Sequence, residues 1–464
     1  MSTVAAQIRP VSVATAPTQG QTDPATLFSL IVGELLSDLK SGCRIANCIE
    51  ADLIKRGWPV GMIYGSESEL SQRFQVGRAV IREAVRVLEV RGCARMRRGP
   101  HGGLYTLRPE SAQSVEMAAD YVLLLGVQGN QIADAQALIE RVNAQIDRRI
   151  DLGEPYSDEL TQSKRVAIAF FQDLIQTTQR LLHSNDTRKR SGSITRPLFH
   201  HSRAGQTARR LMTECTPQQW IKGIRLGSIF DLCERYRIDR GVLRQAIRIL
   251  ESAGMAVSLC GRGHGLVTQA PRPASVCRLV SCHFAAYGLS TRAAMELFHC
   301  ISVEAAAKAA ELATPAQIAR MRLALEAAER AGEAELAHAV FELEESQFAV
   351  LDNPLIDLFL RSTKAFPSWH IPNHANSANL NSVYLNATRK VAAAIARNDS
   401  AGAATAQHLK FCRLAEISAH PCFGKPGDFG VEATGVAAFD FEHSLRHSSA
   451  PCSALAQTRS PRSL

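Results

Sequence analysis

The sequence predicts a mainly α-helical protein, in which two similar units of short helices and a β-hairpin alternate with purely helical segments. Three observations predict this organisation. The sequence repeats itself at an offset of 162 residues, and each copy carries the start and turn signals of a helix–turn–helix. Beyond about residue 290 the chain is rich in Ala, Leu, Glu and Arg at helical spacing, with little strand signal.

Length and composition place the chain among soluble globular proteins. At 464 residues it has room for roughly three folded units, with 46% hydrophobic and 21% charged residues. No apolar run approaches the roughly 18 residues that span a bilayer, and the first residues lack a signal peptide pattern. We therefore expect a cytoplasmic protein with no membrane partner. Residues 1–24 and 421–464 are expected to be a disordered arm and tail.

The twelve cysteines predict neither disulfides nor a metal site. They include no C-x-x-C pair, and the nearest approach to a ligand cluster, Cys277, Cys282 and His283, fits no zinc module in its spacing. We expect reduced, mostly buried thiols, with no metal and no cofactor. The net charge of +9 instead favours an anionic partner, and nucleic acid first.

The internal repeat needs no gap between Trp58 and Thr106. The matched pairs include Trp58 and Trp220, Gly61 and Gly223, Arg78 and Arg240, Arg82 and Arg244, and Gly92 and Gly254. A shared pattern of Trp, Gly and Arg predicts a duplicated module. The expected divisions are a first module at 25–108, a truncated helical segment at 109–184, a linker at 185–197, a second module at 198–270 and a helical domain at 275–420.

The first copy has the local signals of a helix–turn–helix followed by a two-stranded wing. Ser66 begins a capping box, a turn follows Phe74, and Gly92 ends the next helix. The predicted elements are helices at Ile45–Arg56, Ser66–Phe74 and Arg78–Arg91, then strands at Cys93–Arg97 and Gly103–Leu107. In such a unit the second helix of the pair enters the major groove of DNA with its N-terminus first.

Arginines are concentrated where such a unit would meet DNA. Arg78 and Arg82 share one face of the second helix, and between Ser66 and Arg108 nine arginines oppose four glutamates, a net charge of +5. The second copy keeps the groove-facing arginines but has Leu259 and Cys260 in its wing, so we expect it to bind DNA more weakly. The predicted DNA-binding residues are Arg73, Arg78, Arg82, Arg97, Arg98, His101, Gly102, Arg235, Arg240, Arg244, Arg262 and His264.

The stretch Gly57–Gly92, followed by the wing sequence R-R-G-P-H-G-G, resembles the winged-helix domain of the GntR family of transcriptional regulators. Leu226–Gly254 is similar to the same domain, with Asp239 as the helix cap. Gly77 stands where that family commonly has Ser, which weakens the cap of the first copy. The resemblance implies a regulator that reads operator DNA with two winged helix-turn-helix domains, and a repressor more often than an activator.

The segment Ser290–Ala419 resembles the helical ligand-sensing domain, called FCD, of the FadR-type branch of that family. In that domain an Asp and three His often hold a metal that engages a carboxylate effector. Here the first ligand element falls near Val340–Glu344 without a His, Thr388 stands at the middle His, and only His408 remains. The resemblance therefore implies a sensor of a small organic carboxylate without metal, with His408 as a weak effector-binding candidate.

Several alternatives stay open at this point. The sequence carries no G-x-S-x-G, H-E-x-x-H, Walker or dinucleotide motif, and the pair Glu344-Glu345 is expected on a solvated helix face, so we expect no enzyme. An architectural DNA-binding protein that has lost effector sensing is the second hypothesis. The first helical segment is expected to pack on the second bundle, and the chain forms either a homodimer or an intrachain pseudo-dimer.

Overall fold

The computed structural model describes Phe28, Ile31 and residues 41–99, 102–151, 158–191, 203–259, 265–370 and 378–417. Over these residues the chain is mainly helical and contains two small antiparallel sheets of three strands each. The predicted arm at 1–24 and tail at 421–464 lie outside the described residues. None of the helices in the described part of the chain is long and apolar enough to cross a membrane.

The amino-terminal module, as we call residues 41–107, has the predicted order of helices and hairpin. Its elements are α1 (Ser41–Lys55), β1 (Ile63–Gly65), α2 (Glu67–Phe74), α3 (Arg78–Val90), β2 (Ala94–Arg97) and β3 (Gly103–Thr106). The sheet order is β1-β3-β2, so the expected two-stranded wing carries a third strand. β1 was not predicted from sequence, because three residues are too few to show an alternating pattern.

The second module, residues 203–269, repeats these elements. It consists of α7 (Arg203–Met212), α8 (Pro217–Ile221), β4 (Arg225–Gly227), α9 (Ile229–Tyr236), α10 (Arg240–Ser252), β5 (Ala256–Ser258) and β6 (Leu266–Thr268). Both ends of β1, α2 and α3 recur 162 residues later in β4, α9 and α10. The turn residues also agree, since Gln75 and Arg237 have φ values of 52° and 51°. One difference is local. Pro217 is equivalent to Lys55, the last residue of α1, but it starts a separate short helix, α8, whose N-terminus is capped by Thr216.

The remaining elements are helices. The first helical segment contains α4 (Ser111–Leu124), α5 (Gly129–Asp151) and α6 (Asp158–Ser191). The carboxy-terminal bundle contains α11 (Pro273–Ala286), α12 (Thr291–Leu312), α13 (Pro315–Arg330), α14 (Glu333–Phe348), α15 (Pro354–Ser368), α16 (Ala378–Ala396) and α17 (Ser400–Ile417). α4 had not been predicted, because it is buried on most sides and therefore lacks a clear apolar stripe.

The first helical segment packs against the carboxy-terminal bundle, as the sequence predicts. Phe171 of α6 lies 4.3 Å from Phe359 and 5.9 Å from Phe284, measured between ring centroids. The buried Lys164 forms an ion pair with Glu296 of α12 at 2.5 Å. Apolar and ionic contacts thus join the two segments, and one continuous core includes residues of both modules and of the bundle.

Two of the predicted boundaries differ from the structure. α6 continues to Ser191, so the expected start of the linker at residue 185 lies inside a helix. The ring centroid of Phe28, near the start of the expected first domain, lies 4.1 Å from that of Trp369, which directly follows α15, and the Phe28 ring lies beneath the guanidinium of Arg278. Residue 28 therefore packs against the carboxy-terminal bundle, because Trp369 and Arg278 offer it an aromatic ring and a guanidinium group.

Candidate nucleic-acid interface

The turn between α2 and α3 is determined by residues that lie close to one another in the sequence. The Ser66 hydroxyl accepts a hydrogen bond from the Glu69 amide, and the Glu69 carboxylate accepts one from the Ser66 amide, which completes the expected capping box. Gln75 ends α2 in the left-handed conformation. α3 then begins at Arg78 behind Gly77, which provides no side-chain cap. The amides of the first turn of α3 are therefore not occupied by a capping side chain.

The first turn of α3 presents its two arginines to solvent. The side chain of Arg82 is 60% exposed, and its Nη2 lies 3.0 Å from Oε1 of Glu67. Arg78 is also exposed and donates to the Ser68 hydroxyl at 3.3 Å. The opposite face of α3 is buried through Ile81, Ala84, Val85, Val87 and Leu88. Core packing therefore fixes α3. Glu67 and Ser68 of α2 hold the two guanidinium groups at the exposed amino-terminal end of α3.

The hairpin β2–β3 carries a second group of arginines. Arg97 and Arg98 are exposed, and the guanidinium of Arg97 lies 4.7 Å from the ring centroid of Tyr105 on the neighbouring strand. Gly102 closes the turn, where a Cβ would approach the Arg97 carbonyl oxygen to 2.4 Å. Only glycine fits this position without a shift of the hairpin backbone. His101 lies outside the described residues.

Arg73 has a different setting from the other predicted arginines. Its Nη2 lies 3.2 Å from Oδ2 of Asp52 on α1, and its guanidinium covers the ring of Tyr64 at 4.9 Å. Burial alone would raise the pKa of Asp52, but the hydrogen bond from Tyr64 and the charges of Arg56 and Arg73 hold that pKa below its usual value. The structure thus places Arg73 in the contact that fastens α2 to α1.

The second module repeats the exposed arginine pair. Arg240 and Arg244 are exposed on the first turns of α10, and neither side chain makes a hydrogen bond or ion pair within the described ranges. Asp239 caps the helix by accepting from the amides of Gly241 and Val242 at 2.8 and 3.0 Å. The cap predicted at Asp239 is confirmed.

The other predicted residues of the second module contribute less to this surface. Arg235 forms an ion pair with Glu214 at 3.1 Å, in the position equivalent to Arg73. Arg262 and His264 lie outside the described residues. Exposed arginines lie along much of this module, and they are Arg203 and Arg210 on α7, Arg225 on β4, Arg235 and Arg237 at the end of α9, and Arg240 and Arg244 on α10.

The two arginine-bearing helices contact each other within the chain. Nε of Arg248 on α10 lies 3.3 Å from Oε1 of Glu83 on α3. Beside them, Arg91 is largely buried, with 11% of its side chain exposed, and pairs with Glu50 at 2.7 Å. The same guanidinium donates to the carbonyl of Ser252 at the end of α10, at 3.4 Å. Arg91 therefore contributes to the contact between the modules rather than to the exposed positive surface.

A buried ionic cluster lies in the carboxy-terminal bundle. Glu344 of α14 accepts from Lys364, from Lys410 at 2.5 Å and from the Tyr384 hydroxyl at 2.7 Å, and 3% of its side chain is exposed. Burial alone would raise the pKa of Glu344, but the charges of the two lysines lower it to about 2. The solvated face expected for Glu344 is therefore wrong, because two lysines from distant helices draw the carboxylate inward.

His408 lies on a neighbouring part of α17. Its Nδ1 is 3.0 Å from Nε2 of His299 on α12, and its Nε2 is 3.5 Å from the Cys412 sulfur. Thr388 is fully buried and its carbonyl accepts a hydrogen bond from Gln347. Sequence reasoning found His408 but missed the ionic cluster, since lysines on Ala-rich helices resemble ordinary solvated residues.

The chain shows only a weak similarity to known proteins. No family model matches the sequence, and no curated protein matches it. Among solved structures, the chain is similar to a GntR protein of Streptococcus agalactiae, with a TM-score of 0.33 and 21% sequence identity. That similarity covers 44% of this chain and 95% of the other. No functional conclusion follows from a likeness at this level.

Proposed function

We propose that the protein is a sequence-specific DNA-binding transcriptional regulator of the GntR type, and that its two modules are winged helix-turn-helix domains. The observation that carries the proposal is the pair of exposed arginines at the start of two equivalent helices, Arg78 and Arg82 on α3 and Arg240 and Arg244 on α10. An arginine at this end of a recognition helix can bind guanine with two parallel hydrogen bonds.

The hairpins would add affinity without sequence information. Arg97 and Arg98 lie on the wing of the amino-terminal module, where Arg97 is held over Tyr105. Guanidinium groups on such a wing neutralise phosphates, and each released counterion makes binding more sensitive to salt. In the second module Leu259 stands at the position of Arg97, so we expect this module to contribute less of the total affinity.

One chain can supply both halves of a bipartite reader. The contact of Arg248 with Glu83 joins the middle parts of α3 and α10, and the contact of Arg91 with Ser252 joins their carboxyl ends. In a dimeric regulator, a symmetry axis sets the distance between the two recognition helices, whereas here the covalent chain would set it. We therefore favour an intrachain pseudo-dimer over a homodimer, with unequal half-sites because the two modules differ.

The carboxy-terminal bundle is proposed to sense a small organic carboxylate. Around Glu344, two lysines oppose one carboxylate, and a small cavity of about 30 Å³ beside them is lined by Lys364 and Arg361 and by the carboxylates of Glu344, Glu345 and Asp357. The proposal rests on the resemblance of Ser290–Ala419 to the FCD domain, and the two lysines at Glu344 are the groups that would donate hydrogen bonds to an anionic ligand. A ligand there would act on promoter occupancy, and we propose repression by occlusion of the promoter rather than catalysis.

Selection of binding sites from random duplexes tests the proposal. The full chain is incubated with a library of random DNA duplexes, and bound sequences are recovered over several rounds at moderate salt. We expect enrichment of a bipartite motif with two unequal halves at a fixed spacing. Recovery of DNA with no enriched motif would instead support an architectural DNA-binding protein, and no recovery at all would contradict both functions.

A further inference from the structure

Three side chains with metal-binding atoms meet where the amino-terminal module contacts the carboxy-terminal bundle. Glu50 lies on α1, Cys93 directly precedes β2, and Cys282 lies on α11. The ligand atoms of all three lie within 4.8 Å of one another, and all three residues are buried. No other group of three His, Cys, Asp or Glu side chains lies as close within the part of the chain that the structure describes.

We propose that Glu50, Cys93 and Cys282 bind a zinc ion. The two sulfurs and one carboxylate oxygen are a ligand set that suits zinc, and four-coordinate zinc needs one further ligand. The sequence does not reveal this site, since its three ligands come from distant parts of the chain and include no closely spaced pair.

The geometry needs little adjustment to accept the ion. Zinc–sulfur bonds of about 2.3 Å in a tetrahedron separate two sulfurs by about 3.8 Å, so ligand atoms within 4.8 Å would close by about 1 Å at most. Oε1 of the buried Glu50 has no hydrogen-bond partner among the described residues, while Oε2 pairs with Arg91. A cavity of about 20 Å³ adjoins all three side chains, which is enough for one water molecule as the fourth ligand.

The charges around the site balance when the metal is bound. A zinc ion with two thiolates and one carboxylate carries a net charge of −1, and the paired Arg91 cancels it. Because cysteine binds zinc as the thiolate, binding would displace two thiol protons and would weaken as the pH falls.

A metal at this position would fasten one module to the other half of the protein. Two ligands belong to the amino-terminal module, and Cys282 lies on the helix that directly follows the second module. Arg91, which pairs with Glu50, also contacts Ser252 at the end of α10. The metal site does not depend on the proposed function, but its effect on DNA does: zinc would hold the two recognition helices at a fixed spacing.

Cobalt substitution tests the site directly. The full chain, freed of metal with a chelator under reducing conditions, is titrated with Co²⁺ and then with Zn²⁺. We expect a thiolate-to-cobalt charge-transfer band that saturates at one ion per chain and is abolished by zinc. Cys282→Ala should lose the band, whereas Cys277→Ala should keep it, because Cys277 is equally buried on the same helix but does not belong to the cluster.

Two further results separate the site from its alternatives. Glu50→Gln keeps the volume of the side chain and should weaken cobalt binding at least tenfold while the thiolate band persists at saturation. Absence of a band in the wild-type chain, or an equal band in Cys282→Ala, would overturn the proposal. A disulfide between Cys93 and Cys282 that reforms in air despite excess zinc would overturn it as well, and failure of DNA binding alone would not affect it.

Discussion

Glu83 of α3 and Arg248 of α10 form an ion pair at 3.3 Å, which joins two equivalent helices within one chain. The pair is partly exposed, so its own contribution to stability is about 0.2–1 kcal/mol. Its larger consequence is geometric, because it lies between the two helices that are proposed to read DNA. The spacing of the half-sites should therefore depend on this contact.

Arg248→Ala tests that dependence. We expect weaker binding of a bipartite site at its preferred spacing, by a few fold, and a broader tolerance of altered spacing. Affinity for a single isolated half-site should not change, since Arg248 itself is not a DNA contact in this account. Gel-shift titrations on sites with one base pair inserted or removed measure the effect, with Arg330→Ala on α13 as a control on overall charge. An unchanged spacing preference would show that the contact does not set the geometry.

Arg82→Ala and Arg97→Ala should have different effects on DNA binding. Loss of a base contact by Arg82 should cost about 1–3 kcal/mol on the preferred sequence and relax discrimination at one position. Loss of Arg97, on the wing, should weaken all sequences alike and reduce the slope of log affinity against log salt by about 1. Titrations on matched and mismatched duplexes over a salt series distinguish the two. Equal losses on all sequences for both variants would contradict the assignment of Arg82 to a base edge.

The two recognition helices should respond oppositely to changes at their caps. Asp239 accepts hydrogen bonds from two amides of α10, so Asp239→Ala should destabilise the second module by about 1 kcal/mol. Gly77 makes no side-chain cap at the start of α3, and a Cβ there would meet no atom within 4 Å. Gly77→Ser should therefore stabilise the amino-terminal module by roughly 0.3 kcal/mol. Chemical denaturation checks both changes, and stabilisation by Asp239→Ala would contradict the cap.

Stability should fall on mild acidification because of His283. This residue is buried on α11, stacks on Tyr287 at 4.3 Å, and has its pKa lowered by burial from 6.5 to about 4. The unfolded chain then binds a proton that the folded chain excludes, so stability decreases as the pH falls from about 6.5 to about 4. The loss should be on the order of 3 kcal/mol. Denaturant titrations of the wild type and His283→Phe should converge in their pH dependence outside this range and differ within it. Parallel curves throughout would show that His283 is not the cause.

Removal of the buried carboxylate should be costly at neutral pH. Glu344→Gln leaves Lys364 and Lys410 buried beside a neutral amide, and loss of one partner from such a cluster costs about 3–5 kcal/mol. Since the pKa of Glu344 is lowered to about 2, its contribution is present above the unfolded value of 4.5 and is lost as the pH falls toward 2. The difference between variant and wild type should therefore shrink in acid. Glu342→Gln, on the same helix but exposed, provides the control.

The local part of the fold could be read from the sequence, and the reason is visible at particular residues. The capping box at Ser66 and the stop at Gly92 fix the helices of the amino-terminal module through neighbours at most a few residues away. α4 was missed because tertiary burial on several sides erases its periodicity. The third strand, β1, was missed because it pairs with β3 some forty residues later, which no local pattern records.

The candidate site also has features that local sequence predicts and features that only the folded chain shows. The exposed pair on α3 follows from spacing alone, because residues four apart share a helix face. The roles of Arg73 and Arg91 cannot be predicted from spacing. Their partners, Asp52 and Glu50, lie 21 and 41 residues away in the sequence and come into contact with them only in the folded chain. The burial of Glu344 depends on lysines that are brought to it from 20 and 66 residues away.

The central claim is that both modules of one chain read DNA, and fluorescence anisotropy tests it most directly. The full chain is titrated against a labelled duplex that carries its selected site, in parallel with Arg78→Ala/Arg82→Ala and Arg240→Ala/Arg244→Ala, with stoichiometry measured at saturation. We predict that each double variant loses specific binding and that the wild type binds as one chain per duplex. Full binding by the second variant, with two chains per duplex, would contradict the claim and assign DNA reading to the amino-terminal module of a homodimer.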